Sequence, residues 1–312
     1  MRVISIIGWG RSGSTLLDRM IGSVPGAFST GELRYLDERL LHGGTCGCGA
    51  PVRECPVWSA VLARAESTTL DPDVAIHLLN RFARARHTQA LLRMDSDDAA
   101  ATAGLSTLVD HLDGRYAAIE TVSGAQLIVD SSKFPSHAAL LRLIPSVEPF
   151  FVQLVRDPRA VAYSWSRPKE SPDHLPRYSS VFSSAKWVQW NLACEKIKDT
   201  VGRDRYVTVR YEDLVADPRA TLARLLAMAG HDADADKVVG DGEAALGVAH
   251  TISGNPDRFV TGPVKIREDS RWHQSLPVTP WSIATTLTAP LLPRYGYRWQ
   301  AGAPWRRRVR VA

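Results

Sequence analysis

The stretch VISIIGWGRSGST, residues 3–15, carries the strongest fold signal in the chain. Its first part, Val3 to Ile7, is short and rich in β-branched residues, which predicts a strand buried on both faces, as in a parallel sheet. The glycines that follow predict a tight loop, and residues 14–21 have the apolar spacing of a helix. Such a strand–loop–helix unit directs backbone N–H groups and a helix N-terminus toward an anionic ligand.

The loop fits the dinucleotide-binding pattern only in part. Residues 8–13 match G-x-G-x-x-G, but that fold also requires a second strand that ends in an acidic residue about 20 residues later. Glu32 lies near that distance, whereas residues 27–31 before it do not have a convincing strand pattern. The sequence therefore argues against a dinucleotide.

Residues 8–15 also match the phosphate-binding loop of nucleoside triphosphatases, except at one position. Ser14 stands where those proteins have the lysine that reaches the terminal phosphates, and the cation of this loop is Arg11. Ser12, Ser14 and Thr15 add hydroxyl groups that can donate hydrogen bonds. The sequence predicts a loop that binds an anion, with an arginine in place of the lysine.

The rest of the chain alternates strands with helices. Apolar runs predict further strands at residues 127–130, 149–155 and 206–210. Residues 57–121 have a mostly helical pattern, and we find neither an internal repeat nor a linker. We expect one α/β domain over residues 1–312, a three-layer sandwich with a central parallel sheet and a helical insertion between its first and second strands.

Composition excludes a disordered chain, because 45% of the 312 residues are hydrophobic and 23% are charged. Lys and Arg number 38 against 33 acidic residues, and this net charge of +5 suits a small anion as well as a nucleic acid. A basic tail, residues 300–312, holds four arginines (Arg306, Arg307, Arg308 and Arg310). We expect a solvated end there and no nucleic-acid partner. With no signal-peptide pattern and no apolar run that spans a bilayer, the predicted location is cytoplasmic.

Two motifs stand in a fixed order along the chain: residues 11–16 and the segment from Arg156 to Ser164. Together they resemble the sulfotransferases that use 3′-phosphoadenosine 5′-phosphosulfate (PAPS). The resemblance implies that the first motif binds the 5′-phosphosulfate and that Arg156 and Ser164 bind the 3′-phosphate. The donor-binding residues of the first motif would be Arg11, Ser12, Gly13, Ser14, Thr15 and Leu16. A planar guanidinium at the end of a strand suits a phosphate, although Arg-Asp-Pro is also typical of a salt-bridged helix cap.

Three further segments extend the resemblance to the bacterial branch of the family, and to its carbohydrate and tyrosylprotein types more than to its cytosolic animal type. Residues 209–214 resemble an element whose tyrosine, here Tyr211, lies near the nucleotide. Residues 251–259 resemble a late loop that closes over the 3′-phosphate, which implies roles for Ser253, Gly254, Asn255 and Arg258. Residues 129–133 resemble a strand end that carries an active-site lysine in the cytosolic animal branch, and Lys133 occupies that place.

The base that accepts the proton of the acceptor is predicted to be Glu32, which resembles the carboxylate base of the tyrosylprotein type. A carboxylate at the start of a helix is also favoured by the helix dipole alone. His42 and His137 are alternative bases. Arg11 and Lys133, with Ser132, would bind the sulfonate and the leaving phosphate. The resemblance further implies that residues 46–124 recognise the acceptor.

These observations predict a PAPS-dependent sulfotransferase that requires no metal. It would move a sulfonate by in-line displacement to a hydroxyl or amine of a small-molecule, carbohydrate or lipid-like acceptor. Two alternatives remain open: an ATP-dependent kinase or ATPase with a degenerate phosphate loop, and a non-catalytic nucleotide-binding module.

Three of the four cysteines crowd into one loop: Cys46, Cys48 and Cys55. Their spacing lacks the paired C-x-x-C units typical of zinc sites, although His42 offers a fourth ligand. We expect a reduced structural loop without a metal. Cys194 lies in a helical segment and is predicted to be a buried thiol.

Overall fold

The central layer of the molecule is a parallel sheet. The structure is a computed structural model that describes residues 1–168 and 176–300, so the predicted basic tail beyond Gln300 lies outside the described residues. Within them, the sheet has five strands: β1 (Arg2–Ile7), β2 (Ala27–Gly31), β3 (Leu127–Lys133), β4 (Glu148–Val155) and β5 (Tyr206–Arg210). Their order across the sheet is β2-β3-β1-β4-β5, and every pairing is parallel. The carboxyl ends of the strands therefore share one edge of the sheet, where open α/β folds bind ligands.

Helices cover both faces of this sheet. In the described part of the chain they are α1 (Ser14–Gly22), α2 (Leu36–His42), α3 (Pro56–Arg64), α4 (Pro72–Phe82), α5 (Thr88–Arg93), α6 (Ser96–Ala101), α7 (Leu105–Ser123), α8 (Pro135–Leu141), α9 (Pro158–Ser166), α10 (Ser180–Val201), α11 (Tyr211–Ala216), α12 (Pro218–Met228), α13 (Trp272–Ser275) and α14 (Val278–Thr288). Three short strands form a separate antiparallel sheet, which the sequence did not predict: β6 (Val239–Gly240), β7 (Glu243–Leu246) and β8 (Gly262–Lys265).

The core lies on both sides of β1. Val3 and Ile7 pack into a cluster with α3, α4, α7 and α8, whereas Ile4 and Ile6 pack on the opposite face with α1 and α12. Successive side chains of a strand point to opposite faces, so a strand buried on both faces needs an almost uninterrupted apolar run. This explains the pattern from which β1 was predicted.

The predicted three-layer α/β architecture is confirmed, and so are the strands expected near residues 127–130, 149–155 and 206–210. The breaks in the helical region fall where capping residues begin new helices. Asp71 accepts a hydrogen bond from the Asp73 amide, and Asp95 forms a capping box with Asp98. Local sequence therefore determined most of these elements.

The strand β2 corrects the sequence interpretation, which found no strand there. Ser29 and Thr30 are buried in it because Ser29 donates a hydrogen bond to Asp18 and Thr30 Oγ1 donates to the Val129 carbonyl oxygen at 2.9 Å. Those partners lie elsewhere in the chain, and the local pattern of residues 27–31 does not reveal them. As a result, the helical insertion lies between β2 and β3 rather than between the first and second strands.

The extra strand does not restore the dinucleotide interpretation. In the dinucleotide-binding fold the second strand lies beside the first, whereas β3 and β4 flank β1 here. The order of strands excludes that fold even though Glu32 follows a strand. None of the helices within the described ranges is both long and apolar enough to cross a membrane.

Candidate active site

A cavity of about 800 Å³ opens at the carboxyl edge of the central sheet. Each of the five strands of the central sheet ends at the wall of this cavity. The residues that these strand ends contribute are Gly8 after β1, Glu32 after β2, Lys133 in β3, Arg156 after β4 and Tyr211 after β5. The cavity is therefore assembled by the sheet as a whole. This convergence is the reason why residues far apart in sequence act in one place.

The glycine loop forms the floor of the cavity, and its backbone needs its glycines. Gly8 and Gly13 have φ angles of 131° and 93°, which side chains rarely adopt. A Cβ atom on Gly8 would lie 2.5 Å from the Leu154 carbonyl oxygen, and one on Gly13 would lie 2.6 Å from the Tyr211 ring. Helix α1 begins directly after this loop, so its free N–H groups face the cavity. Ser12 is an exception among the predicted contacts, because its hydroxyl is buried and donates to the Trp9 carbonyl oxygen.

Arg11 is held at the cavity wall by its own backbone conformation and by two neighbours. Its backbone has a φ of 69°, its guanidinium lies 4.6 Å from the centre of the Trp165 ring, and Nη1 donates to Asn255 Oδ1 at 3.1 Å. Burial lowers the pKa of Arg11, and the charges of Glu32 and Asp257 oppose that shift. An arginine so fixed presents a positive charge to an anion at little further cost in side-chain entropy.

Arg156 is likewise held in place by its neighbours. Its guanidinium stacks 4.3 Å from the centre of the Tyr211 ring, Nη1 donates to the Arg11 carbonyl oxygen at 3.2 Å, and Nη2 donates to the Asp269 carbonyl oxygen at 3.0 Å. The Tyr211 hydroxyl in turn donates to the Arg267 carbonyl oxygen at 3.2 Å. Ser164, on α9, also lines the cavity. The structure thus brings the second predicted motif beside the first.

Glu32 and Lys133 form an ion pair in the cavity. Both side chains are largely buried, with exposures of 13% and 18%. Lys133 has a φ of 71°, in the left-handed region that is strained for a lysine, and such strain is typical of functional sites. The Glu32 amide donates to the Ile252 carbonyl oxygen at 2.7 Å, which fixes the start of the turn that carries the carboxylate.

The alternative bases lie away from the cavity. His137 is fully buried on α8, with Nε2 3.0 Å from Asp130 Oδ2, and His42 is an exposed residue that does not line the wall. Burial raises the pKa of Asp130, but hydrogen bonds from His137, Ser132 and Tyr116 outweigh it and leave that pKa below its ordinary value. Ser132 donates to the same carboxylate and is therefore engaged in the core.

The late loop contributes Ser253, Gly254 and Asn255 to the cavity wall, but Arg258 is placed elsewhere. The Arg258 side chain is buried, and it donates to the carbonyl oxygens of Thr251 at 3.1 Å and of Thr45 at 2.8 Å. We therefore correct its predicted role: Arg258 joins two backbone segments instead of reaching a ligand. Leu16, Ser14 and Thr15 do line the cavity.

Two groups of lining residues were missed from the sequence. Further cations include Lys265, at the end of β8, and Arg267 and Arg271 in the segment that follows it. An aromatic wall consists of Trp9, Phe134, Trp165, Tyr178 and Trp190. Trp9 and Trp165 directly adjoin predicted motifs, which was a usable signal. Trp187, by contrast, is buried and donates to the Arg156 carbonyl oxygen at 3.0 Å.

The insertion, residues 46–124, was predicted to recognise the acceptor, but none of its residues lines the cavity. Its helices α3, α4 and α7 belong to the core cluster on one face of the sheet. Its cysteines do come together in the fold. Cys46, Cys48 and Cys55 meet His250, and not His42, the histidine that the sequence offered as a possible fourth ligand.

Comparisons with known proteins identify the family of the chain and support its fold. A family model described as the sulfotransferase family matches residues 4–235. Among solved structures, the sulfotransferase domain from the curacin biosynthetic pathway has 18% sequence identity and a TM-score of 0.53, with 95% of this chain and 98% of that chain covered. The sulfotransferase domain from the Synechococcus PCC 7002 olefin synthase has 22% identity and a TM-score of 0.49, with 92% and 94% covered.

No curated protein sequence matches the chain. The structural similarity supports the fold, and the family model covers most of the chain, from the first strand to the region after α12. The chain belongs to the sulfotransferase family.

Proposed function

We propose that this protein transfers a sulfonate group from PAPS to a hydroxyl of a small acceptor. The observation that carries the proposal is the convergence of Arg11, Lys133 and Arg156 with the carboxylate of Glu32 at the wall of a single cavity. A donor with two phosphate groups and a sulfonate needs several separated cations, and the acceptor needs a base. Family membership supports sulfonate transfer.

The glycine loop and Arg11 would bind the 5′-phosphosulfate through the α1 N-terminus and the hydroxyls of Ser14 and Thr15. Arg156 and Ser164 would bind the 3′-phosphate. The Tyr211 ring, on which the Arg156 guanidinium stacks, would keep that guanidinium in a fixed orientation. Because the donor is an activated mixed anhydride, we propose that the reaction proceeds without a metal.

The transfer step is an in-line displacement at sulfur. The acceptor oxygen forms a bond to sulfur while the bond from sulfur to the bridging phosphate oxygen breaks, and adenosine 3′,5′-bisphosphate leaves. Glu32 accepts the proton of the acceptor hydroxyl. Lys133, paired with Glu32 in the free protein, would turn to the sulfonate when the donor binds, which frees the carboxylate to act as the base.

The aromatic wall indicates the kind of acceptor. The Trp9 ring packs against the rings of Trp165 and Trp190, with centres 5.5 and 5.1 Å away. Rings of this size contact apolar or planar ligands over a large area. We propose that the acceptor carries its hydroxyl on an apolar or aromatic body, and an amine acceptor is the less favoured variant.

Ligand-dependent melting separates the proposed function from the kinase or ATPase alternative. We expect adenosine 3′,5′-bisphosphate to raise Tm by about 4 °C at a concentration of 100 Kd, because the gain is about 2.7 kcal/mol and a chain of this length melts with a large entropy. Magnesium should not be needed. Stabilisation by ATP with Mg²⁺ but not by the bisphosphate would instead support the kinase or ATPase function.

Catalysis is tested by replacing the proposed base. Glu32→Gln keeps the shape of the side chain but removes its basicity, so we expect unchanged bisphosphate affinity and a loss of about 100-fold or more in turnover of labelled PAPS with an active acceptor. Glu38→Gln, on the neighbouring helix α2, is the matched control. Near-normal turnover by Glu32→Gln would exclude this carboxylate as the base. If the wild type binds the bisphosphate but turns over no PAPS, the result would support a non-catalytic module.

A further inference from the structure

Four potential metal ligands lie together outside the cavity. Cys46, Cys48, Cys55 and His250, here called the thiol–histidine cluster, each offer one ligand atom, and these atoms all lie within 4.8 Å of one another. None of the four residues lines the cavity described above. The cluster is thus separate from the residues proposed to bind the donor.

The spacing of the ligand atoms is that of a tetrahedral site. With zinc–sulfur bonds of about 2.3 Å and zinc–nitrogen bonds of about 2.0 Å, the edges of a tetrahedron are roughly 3.8 Å between sulfurs and roughly 3.5 Å from sulfur to nitrogen. The Cys48 and Cys55 Sγ atoms are 3.8 Å apart. His250 Nδ1 lies 3.2 Å from Cys55 Sγ and 3.8 Å from Cys46 Sγ. These sulfurs are too far apart for a disulfide, and all four cysteines are unpaired.

The backbone around the cluster is built to bring these atoms together. The Cys46 amide donates to the Ala50 carbonyl oxygen and the Gly49 amide donates back to the Cys46 carbonyl oxygen, both at 2.8 Å, which closes a tight turn around Cys48. Gly49 has a φ of 93°, which permits that turn. Cys55 then precedes α3 directly.

The backbone around His250 is fixed by hydrogen bonds to α3 and to the cysteine loop. Trp58 Nε1, on α3, donates to the His250 carbonyl oxygen at 2.7 Å, and the Gly47 amide donates to the Thr251 carbonyl oxygen at 2.9 Å. The imidazole therefore reaches three thiols through a backbone that is already hydrogen-bonded to their loop.

We propose that the thiol–histidine cluster binds one structural zinc ion. Three thiolates and one imidazole fill a tetrahedral coordination shell and leave no open position for a substrate, which distinguishes a structural zinc site from a catalytic one. Cys46 and Cys55 are fully buried, so such an ion would be shielded from solvent on that side.

The ion would fasten the late loop to the rest of the molecule. His250 precedes the residues of that loop which line the cavity, Ser253, Gly254 and Asn255. Asn255 contacts Arg11, and Ile252 contacts Glu32 through the backbone. Zinc would thereby hold the late loop in position at the donor site without touching the donor.

Metal analysis of the purified full-length protein tests the site, without reference to activity. Elemental analysis should find about one zinc per chain in protein purified without chelators. His250→Ala should lose most of this zinc, His250→Cys should retain it as a four-cysteine site, and Cys194→Ser, at a buried thiol outside the cluster, should retain all of it. Circular dichroism of each variant shows whether it has folded.

A second measurement does not depend on the variants. Wild-type protein stripped of metal and supplied with Co²⁺ should show the intense visible absorption of tetrahedral cobalt bound to thiolates. Stoichiometric iron in place of zinc would refute the identity of the metal. The proposal fails if the wild type purifies without metal and yields no such absorption. It also fails if titration under denaturing, non-reducing conditions finds a disulfide in the cluster.

Discussion

Gly13 is the glycine whose replacement has the most specific consequence. Its φ of 93° and ψ of 14° lie in the left-handed region, and an added Cβ would lie 2.6 Å from Tyr211 Cδ2 and 3.1 Å from Tyr211 Cε2. The ring cannot move freely, because the Arg156 guanidinium stacks on it and its hydroxyl is hydrogen-bonded. Gly13→Ala should therefore disturb both stability and the position of Arg156, the arginine that we propose binds the 3′-phosphate.

The expected cost is the sum of two effects. The left-handed conformation costs about 1 to 2 kcal/mol for a residue with a Cβ, and forcing a methyl group against a packed ring costs about 1 to 3 kcal/mol. We expect Gly13→Ala to lower the free energy of unfolding by about 2 to 5 kcal/mol. If the ring shifts and Arg156 loses one charged hydrogen bond, affinity for adenosine 3′,5′-bisphosphate should fall about tenfold.

The matched control is Gly124→Ala. Gly124 ends α7 with a φ of 64° and a ψ of 16°, and an added Cβ there meets nothing within 4 Å. This variant should lose about 1 to 2 kcal/mol, the conformational part alone, and bind the bisphosphate as the wild type does. Urea denaturation gives the two free energies, and calorimetric titration gives the affinities. Equal losses of stability in both variants, with equal affinities, would refute the role assigned to the Tyr211 contact.

Two further predictions concern charge. Arg156→Ala should weaken bisphosphate binding by about 10- to 100-fold in calorimetric titration, because a charged hydrogen bond contributes about 1.5 to 3 kcal/mol. Arg156→Lys should recover only part of this affinity. Unaltered affinity of Arg156→Ala would place the 3′-phosphate elsewhere. Burial raises the pKa of Asp18 from 3.8 to about 7, against the hydrogen bonds of Ser29 and Ser131. The folded protein then holds a proton that the unfolded chain releases, so this group's contribution to stability is present below pH 3.8 and is lost as pH rises toward 7. Asp18→Asn escapes that loss, so its free energy of unfolding in urea denaturation should rise relative to that of the wild type by up to about 1.4 kcal/mol per pH unit between pH 5 and 7. A difference that stays constant over this range would contradict the raised pKa of Asp18.

How much the sequence predicts depends on whether the partners of a residue are local. The strand β1 and the glycine loop were predictable because a buried strand requires an apolar run and a tight loop requires glycine. Arg156 was predictable because it directly follows another apolar run, residues 149–155. These features are dictated within a few neighbouring residues.

The features that were missed depend on distant partners. The polar residues of β2 are accommodated by Asp18 and Val129, so its strand character is not written in residues 27–31. His250 is separated from Cys55 by 195 positions, and only the fold shows that it replaces His42 beside the cysteines. Arg258 has the residue type of a phosphate ligand but is turned inward by two carbonyl oxygens.

The backbone contact between Ile252 and β2 also affects how the molecule meets other copies of itself. The Ile252 amide donates to the Thr30 carbonyl oxygen at 2.8 Å, and its carbonyl oxygen accepts from the Glu32 amide at 2.7 Å. The strand β2 lies at one edge of the sheet. Without Ile252, the Thr30 carbonyl oxygen and the Glu32 amide would be open to pairing with a strand of another molecule. The late loop therefore serves as a cover for the sheet edge, and a chain in which it came loose would expose a surface prone to aggregation.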